Sequence, residues 1–379
     1  MRRLIILFAL TLLAASACRR TVHTGPETIP FVRQVAADSA GIGLFNRVRR
    51  FDPANTEGTI AVIGESRHSL MLTLKLLGGD AFDNVDGRRV EDCLPDFAGE
   101  VVAAYLDERN QPYPELVADG RGTYLRETAV RLFLEALDTA VRVSPFDRDH
   151  LRSKPVAKVV ILASPLLSEY GYADIDTLVH LSGAKVPVIS PVHAMLSEAL
   201  AAGKAAHIGV WLGADQPDAS VYEKVFARMG ERASTLKAFV PDSVGTVGDR
   251  FVKFLEMYRD SGVDGPLSCL LLDDYGTDLF GLRDKLAEIR RAETFETLNL
   301  NKILAPDFRF IHIVDALNDA CYRTMRQRNL FTHFVAYPKA DYYVTAVAAP
   351  VEDLPFTVIA NNRRYLSDET IQLLEYVQD

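Results

Sequence analysis

From residue 59 onward the chain alternates between two hydrophobic patterns. Short apolar or β-branched runs at 59–63, 140–143, 157–163, 186–190, 207–212, 267–272, 308–314, 332–336 and 356–360 predict strands covered on both faces. Between them lie stretches with helical spacing. Leu125, Ala129, Phe133 and Ala136 form one stripe, Phe251, Phe254, Leu255 and Tyr258 a second, and Leu279, Leu282, Leu286 and Ile289 a third. Strands alternating with helices predict βαβ units and mostly parallel sheets. The number of strands predicts two α/β lobes, at 58–240 and 241–379.

Two regions break the rhythm. Residues 19–57 are polar and interrupted by Gly25, Pro26, Pro30 and Pro53, which predicts a tether with one short helix near 31–38. Residues 78–122 are rich in turn formers and predict an insertion on the first lobe, with a helix near 99–109. Asp80, Asp83 and Asp86 stand three apart, whereas a calcium loop of the EF-hand type needs alternate positions, so they predict solvated turn acids.

Polar residues collect where strands end. Gly64-Glu65-Ser66-Arg67-His68 follows the first run, and Ser144, Ser164 and Ser190 follow later ones, each before a proline. Asp215 and the pair Asp273-Asp274 close two more. In a parallel sheet such ends share one edge, where open α/β sheets bind ligands. Serine and proline at these corners also suit the first turn of a helix. The candidate ligand-binding set is therefore Glu65, Ser66, Arg67, His68, Ser144, Ser164, Ser190, Asp215, Asp273 and Asp274.

Composition narrows the classes. The 379 residues are 48% apolar and 25% charged, with a net charge of −9. An acidic chain without basic runs argues against nucleic acid as a partner. No HExxH or CxxC spacing offers a metal site, and no Walker loop or complete Gly-x-Gly-x-x-Gly calls for a nucleotide, so no cofactor and no metal are expected. The N-terminus has two arginines, an apolar run from Leu4 to Ala15 and then Ala15-Ser16-Ala17-Cys18. The run is shorter than the roughly 20 residues of a bilayer span. The segment resembles a bacterial lipoprotein signal, which implies cleavage after residue 17, a lipid on Cys18 and membrane anchoring through it. The mature chain then has two positive charges fewer, −11, and a tether over 18–57. Its three remaining cysteines cannot all pair.

Three further resemblances bear on function. Val62-Ile63-Gly64-Glu65-Ser66 resembles the first block of the SGNH hydrolases, with Ser66 in the nucleophile place. The Asp-x-x-His that this family carries late in the chain does not occur after residue 300. Gly64-Glu65-Ser66-Arg67-His68 shares the Gly-Glu-x-x-His spacing of erythromycin-esterase-like proteins, but the residues after it do not continue that pattern. The layout of 58–379, notably PVAKVVILASPLLSEYGYADIDTLVHLSGAKVPVIS and GDRFVKFLEMYRDSGVDGPLSCLLLDD, resembles the type I periplasmic binding proteins. That resemblance implies two lobes closing on a ligand. The expectation is a lipid-anchored protein of the bacterial cell envelope, facing the periplasm or cell surface, that binds a small polar ligand between its lobes. The alternatives are an envelope hydrolase using Ser66 and a structural or assembly lipoprotein with an envelope protein as partner.

Overall fold

The computed structural model describes residues 27–37, 43–147, 149–201, 206–213, 219–230, 234–240, 244–334, 336–347 and 356–378. Among these residues twelve strands form two sheets flanked by helices, giving two α/β lobes. The first sheet contains β1 (Thr59–Gly64), β2 (Val101–Leu106), β3 (Ala140–Arg142), β4 (Leu151–Ser153), β5 (Ala157–Leu162) and β6 (Val188–Ile189). The second contains β7 (His207–Trp211), β8 (Thr235–Phe239), β9 (Leu267–Leu272) and β10 (Leu304–His312). The chain then returns to the first sheet with β11 (Lys339–Ala346) and β12 (Thr357–Ala360). The strand orders are β4-β3-β12-β11-β2-β1-β5-β6 and β10-β9-β7-β8.

The second sheet is parallel throughout, and so is the β11-β2-β1-β5-β6 part of the first. All six positions of β1 are buried, as its unbroken apolar run requires. One continuous apolar core joins Ile63 and Val160 of the first sheet to Ile208, Val210 and Leu271 of the second. Trp211, Phe254, Leu270 and Leu272 form a separate cluster on the second lobe.

The expected helix near 99–109 is a strand instead. Val101–Leu106 pairs with both β1 and β11, so its Val, Ala and Tyr side chains are placed by neighbouring strands rather than by local propensity. Of the expected strand at 332–336, the described residues 332–334 and 336 lie in irregular chain, and the strand of that region is β11. The acids of 78–98 serve their own loop. Asp80 accepts the amides of Asp92 and Cys93, and Asp83 accepts those of Val85 and Asp86.

The starting edge of β2 is pinned by a buried ion pair. Lys158 Nζ lies 2.6 Å from Glu100, and both side chains are sealed from solvent. Lys158 also donates to the Thr56 carbonyl, and Glu100 accepts the Thr332 amide. Lys158→Met leaves Glu100 without its counter-charge. The expected cost is about 3–5 kcal/mol, read as a lower urea midpoint.

Candidate functional site

The finishing edges of the two sheets supply the site. Glu65 follows β1 and precedes the helix Ser66–Gly78, while Asp273 and Asp274 follow β9. A small cavity of about 20 Å³ is lined by Glu65, His68, Pro114, Pro165, Gly213, Asp273 and Asp274. Against the same Glu65–His68–Pro114 wall opens a larger one of about 670 Å³. It is also lined by Arg67, Gln111, Glu115, Ser367, Glu369 and Thr370. Residues from both sheets therefore meet over one small space beside a space large enough for a metabolite.

Glu65 holds the N-cap position of its helix but caps nothing there. Its carboxylate reaches across to the Tyr113 amide, with Oε1 accepting at 3.0 Å. The other oxygen stands 3.2 Å from His68 Nδ1. Burial pushes the Glu65 carboxyl upward, but the close approach and charge of His68 and the Tyr113 amide outweigh it and hold the group below its ordinary range. Burial pulls His68 downward, and Glu65 and Asp273 more than reverse that, so the imidazole holds its proton above its ordinary value. His68 also stacks on Tyr275, with ring centroids 4.7 Å apart. The Tyr275 hydroxyl is tied to the Ala163 carbonyl, which joins the two lobes at this point.

Asp273 is the opposite case. It is 5% exposed, and neither carboxylate oxygen has a hydrogen-bond partner among the described residues. The Tyr222 hydroxyl faces it without reaching hydrogen-bond geometry, and that hydroxyl is also unpaired. Burial raises the Asp273 carboxyl from 3.8 to about 7, against the lowering effect of Tyr222 and His68. The Ser164 hydroxyl beside Glu65 is buried and unpaired as well. Buried polar groups in native proteins are normally satisfied. Of these unpaired groups Asp273 lines the small cavity, where a ligand could complete its hydrogen bonding.

Of the other sequence candidates that are described, only Asp274 lines either cavity. Ser66 is 1% exposed and lines neither cavity, and His68 Nδ1 faces Glu65 rather than the Ser66 hydroxyl. No nucleophile–base pair exists there. Ser144 follows β3, which runs parallel to β12 and hence opposite to β1 and β2. That direction puts Ser144 at the far edge, where its hydroxyl accepts the Phe146 amide. Ser190 lies at the correct edge, but its hydroxyl is spent on Ser168 and His193, both at 2.8 Å. Asp274 lines the small cavity and accepts the Gly276 amide. Asp215 and Cys18 lie outside the described residues. Among the described residues no group of His, Cys, Asp and Glu could hold a metal, and no helix is long and apolar enough to cross a membrane.

Three residues at the site escape sequence reasoning: Asp107, Gln111 and Tyr113. Gln111 Oε1 accepts the buried Ser66 amide at 2.9 Å, which turns the NH₂ end of the side chain into a donor at the larger cavity. Asp107 is a strand-end acid like Asp273, concealed because the residues of β2 read as helix.

No protein-family model and no curated protein matches this sequence. Solved structures do resemble it. Glutamate racemase from Francisella tularensis in complex with D-glutamate gives a TM-score of 0.44 at 14% identity, covering 77% of this chain and 89% of its own. The Bacillus anthracis isoform RacE1 gives 0.45 at 14% identity over 77% and 90%. The Aquifex pyrophilus enzyme gives 0.41 at 14% over 77% and 90%. These three similar structures are glutamate racemases. That finding corrects the expected function of a solute-binding protein, and with it the two alternatives, the Ser66 hydrolase and the assembly lipoprotein. Scores below 0.5 describe a shared arrangement of lobes, so the chemistry has to be argued from the residues of the site.

Proposed function

We propose that the protein is an acid–base enzyme that moves a proton at a carbon next to the carboxyl group of a small polar substrate. The observation that carries this is the pairing of His68 and Asp273 around one small cavity. The imidazolium keeps its proton above its ordinary range, and the unpaired carboxyl gives its proton up near neutrality. A charged donor beside a carboxyl that ionises near neutrality suits proton transfer near pH 7. Asp273 as carboxylate would take the proton from carbon as the C–H bond breaks, with the electron pair spreading into the substrate carboxyl group. His68 would return a proton to the same carbon. Glu65 keeps the imidazole charged and oriented.

The larger cavity supports a substrate that carries both charges. Among the residues lining it, Arg67 and the Gln111 NH₂ suit a carboxylate, and Glu115 and Glu369 suit an ammonium. The test is solvent exchange. Small α-amino acids are incubated with the protein in D₂O, and the signal of the hydrogen next to the carboxyl is followed by proton NMR. Loss of that signal for at least one of them, at a rate proportional to enzyme, is the expected result. Retention of every signal over hours would refute the proposal.

A further inference from the structure

Glu65 is aimed by a chain of buried contacts that begins on another strand. Asp107 follows β2, and its amide donates to the Gly64 carbonyl at 2.9 Å, at the end of β1. Its Oδ1 accepts Asn110 Nδ2 at 2.7 Å and Thr345 Oγ1 of β11 at 2.8 Å, while Oδ2 accepts the Tyr113 hydroxyl at 2.9 Å. Tyr113 is fully buried, so its phenol end is fixed on Asp107. Its backbone amide, at the other end of the residue, donates to Glu65 Oε1. Glu65 Oε2 then faces His68. The short helix Tyr113–Ala118 has no side-chain cap of its own, and its first amide goes to Glu65.

We infer that Asp107 is a positioning residue that acts through Tyr113, holding the Glu65 carboxylate against His68. This deepens the acid–base function proposed above and rests on it for its meaning, though the contacts stand independently. Three donors converge on Asp107 and none of its oxygens is idle, which fits an anchor rather than a group that touches substrate. Neither cavity at the site is lined by Asp107. A merely structural network would steady the fold without setting the charge of an imidazole two residues away along the chain of contacts.

The test reads that imidazole directly. The His68 ring is titrated by NMR in the full chain and in Tyr113→Phe, Asp107→Asn and Thr345→Val. Leu116→Ala, a buried change in the same short helix, is the control for loosened packing. Tyr113→Phe keeps the backbone amide and the ring but loses the anchor. The expected result is a downward shift of the His68 midpoint by about one unit in the relay variants, with Thr345→Ser restoring it and Leu116→Ala leaving it in place. An unmoved midpoint in a folded Tyr113→Phe or Thr345→Val protein would overturn the inference, and so would an equal shift in Leu116→Ala. The titration needs no substrate. A failed exchange assay with a shifted midpoint would count against the proposed reaction alone, and the converse against the relay alone.

Discussion

Asp273→Asn is expected to stabilise the protein at pH 8 while abolishing proton exchange. In the unfolded chain this carboxyl titrates near 3.8, and in the fold burial raises it to about 7. Between those values the folded protein holds a proton that the unfolded chain has released. Stability from this group therefore falls as pH rises from about 4 to about 7. Once the carboxylate is charged in its dry site, the penalty reaches an upper figure of about 4 kcal/mol. Asparagine has the same shape without the charge, and its NH₂ can approach the unpaired Tyr222 hydroxyl. The urea midpoints of the two proteins should agree only below about pH 4, draw apart as pH rises, and be fully separated at pH 8 in favour of the variant. Equal midpoints at pH 8 would mean that the Asp273 carboxylate is solvated or paired. A group that costs stability where the enzyme would work is what a functional site, rather than a structural one, is expected to contain.

The second large effect concerns His68. His68→Gln keeps a polar side chain at the third position of the helix Ser66–Gly78 but removes the titratable proton. The exchange rate should fall about 10²- to 10⁴-fold, the usual contribution of a positioned acid or base. The same change strips Glu65 of the partner that lowers its carboxyl, leaving burial to push it upward. The folded form then loses the stabilisation that Glu65 contributes above its ordinary range. A fall of the thermal midpoint near pH 7 that narrows only as pH drops below the ordinary Glu value of 4.5 would show this, because the contribution is lost as the folded carboxyl takes up its proton. A rate unchanged within threefold would remove His68 from the reaction.

Strand ends are the legible part of this molecule. The apolar runs that form β1, β5, β7 and β9 are covered on both faces and carry their signal in composition alone. The residues directly after them, Glu65 to His68 and Asp273-Asp274, can be placed at sheet edges from the sequence. Strand direction is not legible. Ser144 follows a strand as Ser164 does, yet β3 runs the other way, and only the pairing through β12 decides that. Strands with mixed sequence are hidden for another reason. Val101–Leu106 contains two alanines and reads as helix, and only its two strand neighbours make it β2. Missing β2 conceals Asp107, and with Asp107 the contacts through Tyr113 that aim Glu65. The sheet a strand joins is hidden too, because β11 crosses back to the first lobe over a long stretch of chain.

One pair of groups carries the proposed reaction, and the pH dependence of exchange tests it most directly. The rate of hydrogen loss in D₂O is measured from pH 5 to 10 for the parent, Asp273→Asn and His68→Gln. With Asp273 as base and His68 as acid, the parent rate should rise through about pH 7, as the carboxyl charges, and fall at higher pH, as the imidazolium is lost. Both variants should be slow at every pH. A parent rate without the rise near 7, or variants that keep the parent's profile, would contradict the assignment of His68 and Asp273.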